Sequence, residues 1–208
     1  MKRILKTGLL LAFLLLCGVG AAQPPVLIHS HNDYTRTVPF YQAYAQRVSS
    51  IEADVFLRDG VLVVGHDVED LVPEMTFEKL YVEPLVTLFA RNGGRAWKDS
   101  DQRLQLMVEL KSETEPTLRA VVALLQRWPA VFDPAVNSEA VRVTVTGRVP
   151  EPADFDRYPA FVRFDGAWDA DYTPAQLERI ALVSAMTARS STTCHKNSLS
   201  GSSIDSAR

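Results

Sequence analysis

Four short clusters of ionisable residues in this chain could do chemistry. The first is His29-Ser30-His31-Asn32-Asp33-Tyr34. The second, Glu52-Ala53-Asp54, sets two carboxylates two residues apart, and on a strand such residues share a face. Carboxylates on an otherwise apolar strand are costly to bury unless they pair or hold a cation, and hard oxygen donors suit Mg²⁺ or Ca²⁺. The third cluster, His66-Asp67, follows the turn Arg58-Asp59-Gly60. A three-residue hairpin loop with Gly60 in the left-handed position pairs Leu57 with Val61, Asp54 with Val64 and Glu52 with His66, which puts His66 beside the carboxylates. A two-residue loop would turn it to the other face. The fourth, Glu109-Leu110-Lys111, offers the cation a third oxygen from Glu109 and a phosphate oxygen a point charge from Lys111. The plainer alternatives are a solvated strand end for Glu109 or Lys111, a surface position for His66 and a strand cap for His29.

Positioning these clusters requires alternating strands and helices. Val26–Ser30, Ser50–Leu57, Val61–His66, Leu104–Leu110, Val141–Thr146 and Ala160–Phe164 read as strands. Val38–Val48 reads as a short helix with Phe40, Tyr41, Tyr44 and Val48 on its apolar face, and Thr76–Asn92 has helical spacing. Leu118, Val121, Val122, Leu125 and Trp128 mark a further helix. Thr173-Pro174-Ala175-Gln176 opens another, with Thr at the N-cap, Pro at N1 and Gln at N3. Its apolar face, Leu177 and Ile180, leads into Ala181-Leu182-Val183, the start of another strand. Such alternation implies a mostly parallel sheet covered by helices, whose active sites lie at strand ends. No Gly-rich phosphate loop follows the first strand, which argues against a nucleotide-binding Rossmann domain.

Both ends depart from this pattern. Lys2, Arg3 and Lys6, an apolar run over Leu9–Leu16 and the small residues Gly20-Ala21-Ala22 have the order of a cleaved secretory signal over residues 1–22. Cleavage leaves 186 residues, with 19 Lys+Arg against 25 Asp+Glu, a formal −6 that disfavours nucleic acid and other polyanions. It also leaves Cys194 as the one cysteine, so no internal disulfide can form. Residues 184–208, with eight Ser, three Thr and no aromatic residue, read as a disordered or frameshifted tail, which assigns residues 23–183 to the folded domain. Over the whole chain, 208 residues that are 47% hydrophobic and 23% charged, with a formal net charge of −3, suit a globular domain with a real core.

As a set, H-N-D, then E-A-D, H-D after a hairpin and E-L-K resemble the glycerophosphodiester phosphodiesterase family, among the phosphatidylinositol-phospholipase-C-like barrels that also include the spider sphingomyelinases D. The wording HSHNDY, SIEADVFLRDG and FDG is most similar to a secreted bacterial branch related to fungal altered-inheritance-of-mitochondria proteins. The resemblance runs from Ile28 to Val183. It implies an α/β (β/α)8 TIM-type barrel, catalytic histidines at His31 and His66, a divalent cation on Glu52, Asp54 and Glu109, and Lys111 with Asn32 at the substrate phosphate. It also implies a small phosphodiester or phospholipid-headgroup substrate and a secreted or periplasmic protein with no stable membrane anchor after cleavage. Asn32 stands where the family usually carries Arg, and Thr37-Val38-Pro39-Phe40 stands near the family's P-E-N-T segment, so headgroup preference stays open. Asp165 and Trp168 are candidates to line the pocket, although Asp165 could equally be only the turn before Gly166.

A barrel of this type uses eight strands, typically in roughly 250 residues. The strand count here is about five to six, so the expectation is an incomplete barrel: truncated, frameshifted or completed by another chain, and poorly stable alone. Two other functions compete. His29 and His31 resemble the opening H-x-H of amidohydrolases and histidine-rich phosphoesterases, which need further histidines from later strands. A non-catalytic binding remnant is the other.

Overall fold

The computed structural model describes residues 26–184. The leader expected over 1–22, and all of the expected tail beyond Ser184, lie outside the described residues. Within them the chain is α/β. β1 (His29–Ser30), β2 (Ser50–Arg58), β4 (Gln105–Leu110), β5 (Arg142–Gly147), β6 (Val162–Ala167) and β7 (Ile180–Ser184) run parallel in the order β1-β2-β4-β5-β6-β7. β3 (Val61–Val64) pairs antiparallel with β2 as a hairpin. The sheet curls into half of a barrel whose edges are β1 and β7.

The two-residue period of the strands divides the sheet into two chemistries. One face carries Ile51, Ala53 and Val55, Leu106, Val108 and Leu110, Val143 and Val145, and Val162 and Phe164, all essentially buried. The long helices pack on this face. α2 (Glu83–Arg91), entered through a wide π-type turn Glu78–Val82, contributes Leu85 and Phe89 to the core. α3 (Thr114–Gln126) contributes Leu118, Val121, Val122 and Leu125. The other face is concave and polar, with Glu52 and Asp54 on β2, Gln105 and Glu109 on β4, Arg142, Thr144 and Thr146 on β5, and Arg163 and Asp165 on β6. In parallel register Asp54 lies opposite Glu109, and Glu109 opposite Thr146.

Several sequence expectations need correction. The hairpin loop has two residues, Asp59-Gly60, with φ of 49° and 80°, and pairs Arg58 with Val61 and Val55 with Val64. Asp-Gly favours this tight loop because both positions take positive φ, and its geometry matches the twist of the strands. The first strand is shorter than Val26–Ser30. Val26 and Leu27 precede the sheet edge and are exposed, since only β2 flanks β1 there. The helix expected over Val38–Val48 is α1 (Tyr41–Ala45), bounded by Phe40 and Arg47 at positive φ, and Tyr41 faces outward. Trp128 lies beyond α3, capping the short α4 (Pro129–Phe132). α5 (Pro174–Glu178) has the expected reciprocal Thr173–Gln176 cap, yet Leu177 is exposed and Ile180 already belongs to β7.

Candidate active site

Three of the four clusters lie at or just past strand ends, and the fourth, Glu52 with Asp54, lies within β2. His31 follows β1, Lys111 follows β4, and His66 follows β3. Carboxylate oxygens of Glu52, Asp54 and Glu109 lie within 4.8 Å of one another, a group that could hold a metal ion. Glu52 and Asp54 are buried and Glu109 is half-buried.

Asp54 is the centre of the arrangement. Its Oδ2 accepts from the Tyr34 hydroxyl (2.9 Å), lies 3.2 Å from His66 Nδ1, and meets the Lys111 ammonium at 3.0 Å. Its Oδ1 is buried and has no hydrogen-bond partner. A carboxylate with one oxygen crowded by donors and the other bare fits a cation at the bare oxygen, because an isolated buried acceptor carries an uncompensated desolvation cost. The hard-oxygen donor set suits Mg²⁺ or Ca²⁺ equally.

The electrostatics of the other two carboxylates point the same way. Burial raises Glu52, but the hydrogen bond with His29 (2.9 Å) and the charges of His31 and His29 outweigh it and hold Glu52 below the ordinary value. Burial raises Glu109; Lys111 opposes this, the charge of Asp54 adds to it, and Glu109 ends above the ordinary value. Glu109 therefore takes a proton before Glu52 does. Lys111 donates to Glu109 Oε1 at 3.0 Å, and although burial lowers its affinity for a proton, the Glu109 and Asp54 bonds raise it overall. The ammonium is the cation that now balances these acids.

His66 reaches Asp54, not Glu52, and by a different route from the one the spacing suggests. The β3 ladder ends at Val64, whose N–H bonds Met75 O, while the Gly65 N–H bonds Asp54 O and the chain bends. His66 therefore escapes the alternation that a continued strand would impose. His31 Nε2 is 3.8 Å from Glu52 Oε2, and its side chain is 70% exposed, open to a ligand. Asn32 has φ 48° and ψ 48°, the left-handed region that Asn tolerates, and its Oδ1 is buried without a partner.

The loop bearing His31 and Asn32 hangs on Asp33, a fully buried carboxylate. Asp33 accepts from the Ser30 hydroxyl (2.9 Å), the Phe40 N–H (2.6 Å) and the Tyr81 hydroxyl (3.2 Å). Sequence reasoning assigned no role to Asp33, to Tyr34 or to Thr146. The signal available for the first two was their place in HSHNDY beside the histidines. Thr146 donates to Asp165 Oδ2 at 3.0 Å, which brings Asp165 into the row containing Asp54 and Glu109, while Trp168 stands in the open, 68% exposed. His29 is occupied with Glu52. His29 and His31 both approach Glu52, at 2.9 and 3.8 Å, while the group that could hold a metal ion consists of Glu52, Asp54 and Glu109.

Comparison with known proteins places these residues in a family context. The profile of the AIM6-like phosphodiesterase domain matches residues 19–151, a stretch holding Glu52, Asp54, Glu109, His31, His66, Asn32 and Lys111. The altered inheritance of mitochondria protein 6 homolog of Arthroderma benhamiae is 34% identical over 120 residues, covering 49% of this chain and 38% of that protein. The corresponding protein of Eremothecium gossypii is 47% identical over 68 residues, covering 31% and 18%. That of Kluyveromyces lactis is 28% identical over 158 residues, covering 59% and 38%. The chain thus spans well under half the length of these relatives. Among solved structures, a glycerophosphodiester phosphodiesterase from Parabacteroides distasonis is 14% identical with a TM-score of 0.33, over 76% of this chain and 91% of that one.

Proposed function

The chain belongs to the AIM6-like phosphodiesterase domain family, and from that premise we propose that it is an exported, metal-dependent hydrolase of glycerophosphodiester-type substrates. The observation that supports this most is Asp54, with three donors on Oδ2 and none on its buried Oδ1, inside a triad of carboxylates. Glu52, Asp54 and Glu109 would hold a divalent cation, Mg²⁺ or Ca²⁺. When bound, such an ion supplies positive charge to the non-bridging phosphate oxygens and makes phosphorus more electrophilic.

The remaining work falls to the chain's own side chains. Asp54 engages His66 at Nδ1, which leaves Nε2 for proton transfer. His31 stands on the Glu52 side of the cluster. One imidazole takes the proton of the attacking hydroxyl and the other gives a proton to the departing alkoxide. The attacking hydroxyl is water or the substrate's own neighbouring group; the latter gains from enforced proximity and gives a cyclic phosphate. Asn32 and Lys111 bind phosphate oxygens, Lys111 exchanging a carboxylate contact for the substrate. The substrate is a small phosphodiester rather than a nucleic acid, in keeping with the net negative charge. Export rests on the order of residues 1–22.

The test is hydrolysis of glycerophosphocholine and related diesters by the full chain, with Mg²⁺, Ca²⁺ or chelator. Turnover is expected to vanish on chelation and to fall by about 100-fold or more in His31→Ala and in His66→Ala. Turnover that survives both chelation and His31→Ala defeats the proposal. The open sheet, unpaired at β1 and β7, favours one second reading, a non-catalytic binding module. Cation binding without turnover on any diester would select it.

A further inference from the structure

The end of the concave face away from the acidic cluster gathers three arginines. Arg142 begins β5, on the same face as Thr144 and Thr146, and lies opposite Gln105 of β4. Arg163 of β6 lies opposite Thr144, and Arg103 stands two residues before Gln105. Arg103, Gln105, Arg142, Thr144 and Arg163 line one cavity of about 310 Å³ in which no Asp or Glu takes part. Arg103 donates to Ser138 O at 3.1 Å and Arg163 to Ile180 O at 2.5 Å. The Arg142 guanidinium has neither a hydrogen-bond nor an ion-pair partner among the described residues. Partial burial, with the charges of Arg103 and Arg163, pushes it below the ordinary arginine value.

This cavity is lined by three guanidiniums and no carboxylate. Three guanidiniums repel one another, and nothing in the cavity neutralises them. Gln105 and Thr144 add neutral donors between them. A planar guanidinium matches a tetrahedral or planar oxyanion with two parallel hydrogen bonds. A lone carboxylate has two oxygens and satisfies one or two such forks, whereas a phosphate group has enough oxygens for all three. We infer that this cavity binds a phosphate group, as inorganic phosphate or as a phosphate monoester, at the N-terminal end of the parallel sheet. The site is separate from the acidic cluster: four residue steps along β5, roughly 13 Å of strand, separate Arg142 from Thr146. It stands whether or not the proposed hydrolysis does.

The test is calorimetric titration of the full chain in metal-free buffer at constant ionic strength, first with inorganic phosphate and then with glycerol 3-phosphate. Saturable one-to-one binding is expected. Arg142→Gln and Arg163→Gln should each weaken it about tenfold or more, and Arg142→Lys, which keeps the charge and loses the fork, should weaken it by less. Arg142 and Arg163 are exposed, so far-UV circular dichroism should show the variants folded; Arg142→Lys carries the test if either glutamine variant fails this check. Glu52→Gln should bind phosphate as the unaltered chain does. Tighter binding of glycerol 3-phosphate identifies a monoester site and equal binding a phosphate site, and both support the inference. It is overturned by the absence of saturable heat, by undiminished affinity in the Arg142→Gln/Arg163→Gln double variant, or by loss of binding in Glu52→Gln. Binding of a glutamate-rich peptide with no response to phosphate also overturns it.

Discussion

Lys111 exposes the logic of the acidic cluster at the scale of single residues. Its ammonium lies 3.0 Å from Asp54 Oδ2 and 3.0 Å from Glu109 Oε1, where it balances acids that a divalent cation would otherwise balance. Removing one partner of a largely buried ion pair leaves the other charge uncompensated. Lys111→Met should therefore destabilise the chain by roughly 1–3 kcal/mol in metal-free buffer, discounted from the fully buried case because Lys111 keeps some contact with solvent. Adding Mg²⁺ or Ca²⁺ should restore more stability to the variant than to the unaltered chain, because the cation then meets three carboxylates and no competing ammonium. Urea unfolding of both proteins with and without the ion makes the comparison. An identical response to the ion would show that Lys111 and the cation do not share the site.

At the scale of elements, the end of β5 governs the position of Glu109. Gly147 has φ 73°, and a Cβ there would stand 2.7 Å from Glu109 Cγ and 2.9 Å from Leu110 O. Gly147→Ala thus combines left-handed strain with a clash against a proposed cation ligand, and should cost about 1–3 kcal/mol of stability. Cation affinity should fall with it, whereas Gly60→Ala, also at positive φ but with open space around its Cβ, should lower stability alone. Thermal melts and cation titrations of both variants separate the two effects. This contrast also marks how far the sequence can be read. The shared face of Glu52 and Asp54 follows from the strand period alone, and the strand ends carrying Glu109 and Lys111 were legible from hydrophobic runs. The opposition of Asp54 to Glu109 is a register between strands some fifty residues apart, and no local pattern encodes it. Asp59-Gly60 carried the signature of a two-residue loop, but the side of the sheet His66 reaches depends on the chain bending after Gly65, whose N–H still bonds Asp54 O, and no strand period encodes that bend. Tyr34 and Asp33 escaped assignment because their partners, Asp54 and Tyr81, lie 20 and 48 residues away.

At the scale of the whole molecule, the curled sheet presents two strand edges without a neighbour among the described residues, β1 on one side and β7 on the other. Val26 and Leu27 beside the first edge are 83% and 79% exposed, and Val183 on the second is 55% exposed. Between them opens a concavity of about 650 Å³ lined in part by Val26, Leu27, Ile28, Met107 and Leu182. Unpaired strand backbone flanked by exposed apolar side chains is a template for pairing with another chain, and a formal net charge of −3 gives little repulsion to oppose it. The full chain should therefore associate as its concentration rises. Val183→Lys places a charge on the β7 edge without touching the core, and should shift the association to higher concentration while leaving the far-UV spectrum unchanged. Sedimentation velocity across a wide concentration range measures both. A monomer at every concentration would mean that these edges are shielded, and association untouched by Val183→Lys would move the contact from β7 to the β1 side.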